Sequence, residues 1–187
     1  AFITSGSGNG CPVKINTGNS NPTVSGGADF TIPKSTYFAL TATGSDPQND
    51  VLTYCWEQMD PEFATMPPVS TSAGGPLFRT FEGTTSPTRY FPRLSDIVNN
   101  ANPTWEKLPA VARTLKFRVT ARDNNPVGGC TEEDDVVVTV AANAGPFQIT
   151  APNTNVSWFV GQQKTVSWSV NGTDLVPVNL SLIHISE

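Results

Sequence analysis

The sequence is poor in charge, with one histidine and three cysteines among 187 residues. Only 14% of its residues are charged, against the ~25% usual in soluble domains, which excludes a coiled coil or a bundle of long charged helices. A net charge of −5 and the lack of any lysine or arginine cluster exclude a nucleic-acid partner. No apolar run approaches the ~20 residues of a membrane-spanning helix, so we expect no membrane span.

The short motifs of catalytic and nucleotide-binding sites are also missing. There is no HExxH, no GxSxG and no phosphate-binding glycine loop that opens a helix. His184 is the only histidine, and Cys11, Cys55 and Cys130 stand singly, so no zinc ligand set can be assembled. We therefore predict that this chain is not itself an enzyme and has no catalytic or cofactor-binding residues.

What the sequence does contain is a series of short segments in which apolar and polar residues alternate. In 114–122 (TLKFRVTAR), Leu115, Phe117 and Val119 share one face and the basic residues the other, which is typical of a half-buried strand. Similar segments lie at 37–43, 51–57 and 135–140, and turn sequences rich in Gly, Pro, Asn and Asp separate them. This pattern predicts an all-β fold, an immunoglobulin-like β-sandwich.

The alternation breaks down between residues 59 and 113, where prolines are frequent. We predict a long, ordered insertion with a short helix near 94–99. It either carries a binding surface or simply covers one sheet. Charged residues of this region and of the strand before it could line a substrate groove, but ion pairing that holds the insertion in place is the simpler interpretation: Arg79, Arg89, Arg113 and Glu57 or Glu106.

The remaining segments suggest a domain organisation. We predict a linker from an upstream domain (1–27), the immunoglobulin-like sandwich (28–142), a truncated second immunoglobulin-like domain (145–179) and an artefact tail (180–187). The second domain would contain about three strands, at 146–150, 156–160 and 165–170, which is too few to bury a core. The tail, LSLIHISE, matches the translation of a sequencing-library adapter, so we expect the natural sequence to stop after Asn179.

Several ordered motifs resemble the region that follows the catalytic domain in secreted reprolysin-like zinc metalloproteases of Bacteroidota. They cover nearly the whole natural chain: 52–60 (LTYCWEQMD), 75–79 (GPLFR), 87–92 (PTRYFP), 105–109 (WEKLP), 117–125 (FRVTARDNN), 144–147 (AGPF), 165–173 (TVSWSVNGT) and 177–179 (PVN). The resemblance implies a secreted or cell-surface bacterial protein. Its zinc would be held only by an upstream protease domain with an HExxH motif, and a sorting domain for type IX secretion would follow these modules.

Residues 46–54 (DPQNDVLTY) resemble the DPxxDxLTY signature of cadherin-like and related bacterial modules, in which the aspartates can bind calcium. Asp46, Asn49 and Asp50 would supply part of the oxygen shell that Ca²⁺ requires, and the acidic run 132–135 could add to it if that loop folds nearby. The alternative is a solvated turn in which the Asp46 side chain bonds the backbone.

The odd number of cysteines allows one internal disulfide at most. Cys55 should point away from the buried face of its strand, whereas Cys11 and Cys130 lie in glycine-rich segments that can approach each other. We favour a Cys11–Cys130 pair, and three free thiols in a reducing compartment remain the alternative.

Two classes of function follow. The first is a noncatalytic accessory module of a secreted zinc metalloprotease, whose partners are the upstream protease domain and a protein or polysaccharide substrate. The alternative is an adhesin-like or carbohydrate-binding module that uses the aromatic residues of the insertion. Burial of Trp56, Trp105 and Tyr90 favours the first, and an exposed row of Trp and Tyr side chains favours the second.

Overall fold

A computed structural model describes residues 16–179, which form an all-β structure with one short helix within that range. The elements in chain order are β1 (Thr23–Ser25), β2 (Phe30–Ile32), β3 (Phe38–Thr41), β4 (Thr43–Ser45), β5 (Thr53–Gln58), β6 (Thr88–Phe91), α1 (Leu94–Val98), β7 (Arg113–Arg122), β8 (Thr131–Val140), β9 (Gln148–Ala151) and β10 (Ser167–Ser169).

The larger layer is a four-stranded sheet in the order β2-β8-β7-β5. β5, β7 and β8 pair antiparallel, whereas β2 runs parallel to β8 at the edge of the sheet. Residues of β7 alternate between buried and more exposed positions along the strand, as the sequence predicted. Leu115, Phe117 and Val119 are fully buried on one face.

The second layer consists of β3 paired with β6, and its phenylalanines face the larger sheet. Phe38 of β3 stacks on Phe91 of β6 with ring centroids 4.9 Å apart, and Phe91 lies 4.8 Å from Phe117 of β7. A single apolar core fills the space between the layers, with Trp56 and Val138 among its members. The predicted all-β sandwich is confirmed.

The structure corrects the predicted extent of two segments. The insertion is not continuous over 59–113, because its residues Thr88–Phe91 form β6 and complete the second layer of the sandwich. The acidic run 132–135 is not a loop, because β8 starts already at Thr131. The predicted helix near 94–99 is present as α1.

The two remaining parts of the insertion, 59–87 and 92–112, pack onto the sandwich and contribute to its core. Leu77 and Phe78 are almost fully buried there, and both of their backbone N–H groups donate to Gln58 Oε1. Arg113, the first residue of β7, donates to the backbone oxygens of Ser72 (2.9 Å) and Gly75 (2.6 Å). A buried guanidinium thus replaces the strand hydrogen bonds that an irregular segment lacks.

A second buried arginine fastens the other part of the insertion. Arg89 Nη2 lies 2.9 Å from Glu106 Oε1, and Arg89 also donates to the backbone oxygens of Trp56 and Arg79, both at 2.5 Å. The other Glu106 oxygen accepts the N–H of Arg93 at 3.0 Å. Ion pairing therefore holds the insertion in place, as the simpler interpretation proposed.

Between residues 146 and 179, the structure has one two-stranded sheet, β9 paired with β10. Residues 156–160 do not form the predicted strand. Every residue of β9 is exposed, and Trp158 and Trp168 are 50% and 42% exposed. That these residues belong to a truncated immunoglobulin-like domain stays a prediction.

At the other end of the chain, β1 falls inside the segment 1–27 that we predicted to be a linker. It pairs antiparallel with β4, and Val24 packs against the core. The tail at 180–187, including His184, lies outside the described residues. Among residues 16–179, we find no helix with the length and apolar character that a membrane crossing requires.

Candidate functional site

Two turns meet at one end of the larger sheet. β5 and β7 pair antiparallel with Thr53 opposite Arg122, so the residues just before β5 and just after β7 lie at the same end. The first turn is 46–50, between β4 and β5, and the second is 123–130, between β7 and β8. Both begin with an aspartate, which is a residue that readily caps turns with its side chain.

Asp46 organises the first turn with one of its carboxylate oxygens. Its Oδ1 accepts the N–H groups of Gln48 at 2.8 Å and Asp50 at 2.9 Å, and its backbone oxygen accepts the N–H of Asn49 at 3.1 Å. This is the turn that the alternative interpretation predicted. The other oxygen, Oδ2, is buried and has no hydrogen-bond partner among the described residues, and Asp46 as a whole is only 9% exposed.

Asp123 organises the second turn in the same way and is 2% exposed. Its Oδ1 accepts the N–H groups of Cys130 (2.8 Å) and Asn125 (3.2 Å), while Oδ2 accepts Nδ2 of Asn19 at 2.6 Å. Burial by itself would raise the pKa of Asp123, but these hydrogen bonds outweigh it and hold the pKa below its usual value. Asp123 is therefore a buried carboxylate that stays charged.

Asp50 completes a group of three carboxylates. One ligand oxygen from each of Asp46, Asp50 and Asp123 lies within 4.8 Å of the others. Asn125 Nδ2 donates to Asp50 Oδ2 at 2.8 Å. Within residues 16–179, all of the ion pairs involve other acidic residues. No lysine or arginine in that range therefore pairs with any of these three. We call these three residues the carboxylate cluster.

The segment before β1 closes the cluster from a third side. Asn19 donates from Nδ2 both to Asp123 and, at 2.9 Å, to the backbone oxygen of Gly128, so it bridges the second turn. Its own oxygen, Oδ1, is buried without a hydrogen-bond partner among the described residues. An all-oxygen set of carboxylates with spare buried acceptors suits a hard cation such as Ca²⁺ or Mg²⁺.

The structure brings together only some of the residues of the predicted calcium site. Asp46 and Asp50 come together as predicted, whereas exposed Asn49 enters a left-handed backbone conformation with φ 63° and serves the turn. The acidic run 132–135 points elsewhere, with Glu133 and Asp135 pairing with Arg118 and Asp134 accepting the N–H of Gly26. Asp123, rather than the acidic run, lies beside Asp46 and Asp50.

Asp123 and Asn19 were missing from the predicted site. Asp123 follows a strongly alternating strand, and Asn19 precedes the first strand, so both appear in sequence as ordinary loop residues. A pairing of β5 with β7, had it been assigned from sequence, would have placed Asp123 beside the turn at Asp46. No feature of the neighbouring sequence marks Asn19 as a member of the site.

The cysteines of the described residues do not pair with each other. Cys55 is half-buried in β5 and its Sγ donates to the backbone oxygen of Phe81 at 3.3 Å. Burial, and after it the negative charge of Glu57, raises the pKa of the Cys55 thiol. Cys130 lies next to the carboxylate cluster, but Cys11 lies outside the described residues, so the Cys11–Cys130 disulfide stays a prediction.

The insertion presents a second surface, in which three arginines surround one aromatic ring. The guanidinium carbons of Arg79, Arg89 and Arg93 lie 5.3, 4.9 and 5.0 Å from the centroid of Phe81. Clefts on either side of Phe81 are lined by Tyr90 and Trp105, which are 41% and 47% exposed. Trp56, by contrast, is 3% exposed and fills the core.

The sequence matches no protein-family model and no curated protein. The carboxylate cluster and the aromatic surface of the insertion must therefore be interpreted from their own chemistry.

Proposed function

We propose that the chain is a noncatalytic β-sandwich module of a secreted bacterial zinc metalloprotease, which supports or orients the protease domain or its substrate. The observation that carries this proposal is the complete core of the sandwich. Trp56 and the phenylalanines of three strands serve to pack two sheets together, and the insertion closes over that core with buried ion pairs. Such a rigid unit suits the positioning of a neighbouring domain.

The donor groups that the structure brings together do not fit a catalytic zinc. The carboxylate cluster offers only oxygen ligands, whereas catalytic zinc sites usually include histidine. One carboxylate oxygen of Asp46 and one of Asp123 also already accept hydrogen bonds from backbone N–H groups. We assign the zinc of the parent enzyme to the upstream protease domain that the sequence resemblance implies.

Two experiments test this function. The reading frame upstream of residue 1 should encode a zinc protease domain with an HExxH motif, and a frame without one would contradict the proposal. The purified chain should leave casein intact with or without added Zn²⁺. Casein cleavage that a chelator abolishes, and that co-purifies with this polypeptide, would show that the chain is itself an enzyme.

A carbohydrate-binding or adhesin-like module is the second candidate, and the exposure of Tyr90 and Trp105 favours it. Both side chains line clefts beside Phe81, where a sugar ring could stack. Under this alternative, Trp105→Ala would weaken retention on an insoluble polysaccharide at least about tenfold, since stacking aromatics dominate such surfaces. Trp158→Ala, a change at an equally exposed tryptophan after residue 145, is the matched control and should have no effect.

A further inference from the structure

We propose that Asp46, Asp50 and Asp123 bind one calcium ion, and that Asn19 joins them as a fourth ligand. The ion would connect three parts of the chain that are distant in sequence: the segment before β1, the turn before β5 and the turn after β7. This inference is independent of the proposed accessory role, because it depends only on the geometry at one end of the sandwich.

The negative charge of the cluster favours a bound cation. Three carboxylates whose oxygens lie within 4.8 Å of one another repel, and no basic side chain among the described residues pairs with them. A divalent cation is the group that turns this repulsion into attraction.

Two buried oxygens at the cluster have no hydrogen-bond partner among the described residues. Asp46 is nine-tenths buried, and its Oδ2 has no partner among residues 16–179. Leaving a buried carboxylate oxygen without a partner is costly, so native structures rarely contain one without a reason. Asn19 Oδ1 is a second such atom, and it belongs to the amide that already contacts Asp123.

The type and arrangement of the donor atoms favour calcium over other metal ions. All of the available donors are oxygens, which excludes metals that prefer sulfur or nitrogen. The donors come from three separate segments, with carboxylates already engaged in other hydrogen bonds, so a regular octahedron is hard to form. Ca²⁺ accepts irregular shells of six to eight oxygens, whereas Mg²⁺ demands near-ideal octahedral geometry. Water would complete the shell.

Through Asn19, calcium binding would also affect the segment before β1. Its Oδ1 has no partner among the described residues, so it can bind the ion while Nδ2 keeps its hydrogen bonds to Asp123 and Gly128. Calcium would then hold the segment before β1 against the sandwich, because Asn19 is 104 residues away from Asp123 in sequence. Any domain attached to that segment would then be oriented more firmly when calcium is bound.

Calorimetric titration of the full chain with CaCl₂, after treatment with a chelator, tests the site. We expect one Ca²⁺ per chain with a Kd in or below the range of about 10⁻⁴–10⁻³ M seen for extracellular modules, and a raised melting temperature. Asp50→Asn should weaken binding at least about tenfold, since Asp50 supplies a full charge but holds no backbone N–H. Asp174→Asn, at an exposed aspartate outside the cluster, is the control.

Asp123→Asn is the less safe variant, because Asp123 also holds its turn and the chain could fail to fold. A second measurement therefore follows the wild-type chain: calcium should slow hydrogen exchange in residues 17–21 and 123–130. Absence of calcium binding, or binding that Asp50→Asn leaves unchanged, would overturn the site. Mg²⁺ binding as tight as Ca²⁺ would overturn the choice of ion. Calcium binding without slower exchange at 17–21 would overturn the role of Asn19.

Discussion

Arg89 of β6 and Glu106 of the insertion form a buried ion pair, with Arg89 Nη2 2.9 Å from Glu106 Oε1. The Glu106 side chain is 2% exposed and that of Arg89 12%. Arg89 extends the contact to the backbone of β5 through the oxygen of Trp56. The pair thus joins the two parts of the insertion to each other and to the central sheet.

Glu106→Gln should therefore destabilise the fold strongly. The substitution keeps the shape of the side chain but leaves the Arg89 charge buried without its counterion, which typically costs about 3–5 kcal/mol. Urea denaturation at pH 7 measures the loss as a lower transition midpoint.

Glu133→Gln provides the matched comparison. Glu133 pairs with Arg118 at 2.8 Å, but the two side chains are 54% and 30% exposed. Exposed pairs contribute at most about 1 kcal/mol, so this variant should be nearly as stable as the wild type. Equal losses for the two glutamates would show that burial does not distinguish them.

Gly26 lies against two buried side chains, so we expect it to tolerate no larger residue. A Cβ at this position would be 2.6 Å from Val136 Cγ2 and 3.2 Å from Trp56 Cη2. Both side chains are fixed in the core, and Gly26→Ala should therefore lower stability by about 1–3 kcal/mol.

Gly74→Ala is the control for this effect, because its Cβ would meet only the exposed side chain of Glu62, at 3.2 Å. Its stability should change by less than about 0.5 kcal/mol in the same denaturation experiment. A Gly26→Ala protein as stable as Gly74→Ala would contradict the close packing between β1 and the core.

Cys55 should react slowly with alkylating reagents in the folded protein. Its pKa is raised by burial, so at pH 8 it has a smaller thiolate fraction than an ordinary cysteine, and the thiolate is the reactive form. Mass spectrometry of the Cys55 peptide after iodoacetamide treatment should show labelling at least about tenfold slower in buffer than in urea. Equal rates in both solvents would mean that the thiol is accessible and unperturbed.

The strands after residue 145 should exchange their amide hydrogens faster than those of the sandwich. β9 is exposed at all four residues, and its partner β10 leaves Trp168 42% exposed, whereas β7 and β8 contribute the most buried positions of the core. Little buried apolar surface means a low free energy of local opening. Equal protection of β9 and β7 would indicate that this region is a stable domain in its own right.

The sequence alone was enough to locate the strands in which buried and exposed residues alternate along the chain. β7 and β5 lie within two residues of their predicted bounds, because a strand with one face on a core repeats its apolar residues every second position. It did not suffice for β6, whose four residues stand between Pro87 and Pro92. There, pairing with β3 and stacking of Phe91 outweigh a local sequence that resembles a break.

The residues of the candidate site also fall into two groups, those that the sequence placed together and those that only the tertiary structure added. Asp46 and Asp50 share one short turn, so local sequence was enough to place them together, and the backbone N–H groups of that turn account for Asp46 Oδ1. Asp123 and Asn19 joined them only through the tertiary structure, since the pairing of β5 with β7 brings distant turns to one end of the sheet. Side-chain alternation records which face of a strand is buried, but it carries no information about which strand lies beside it, and the carboxylate cluster depends on that neighbour.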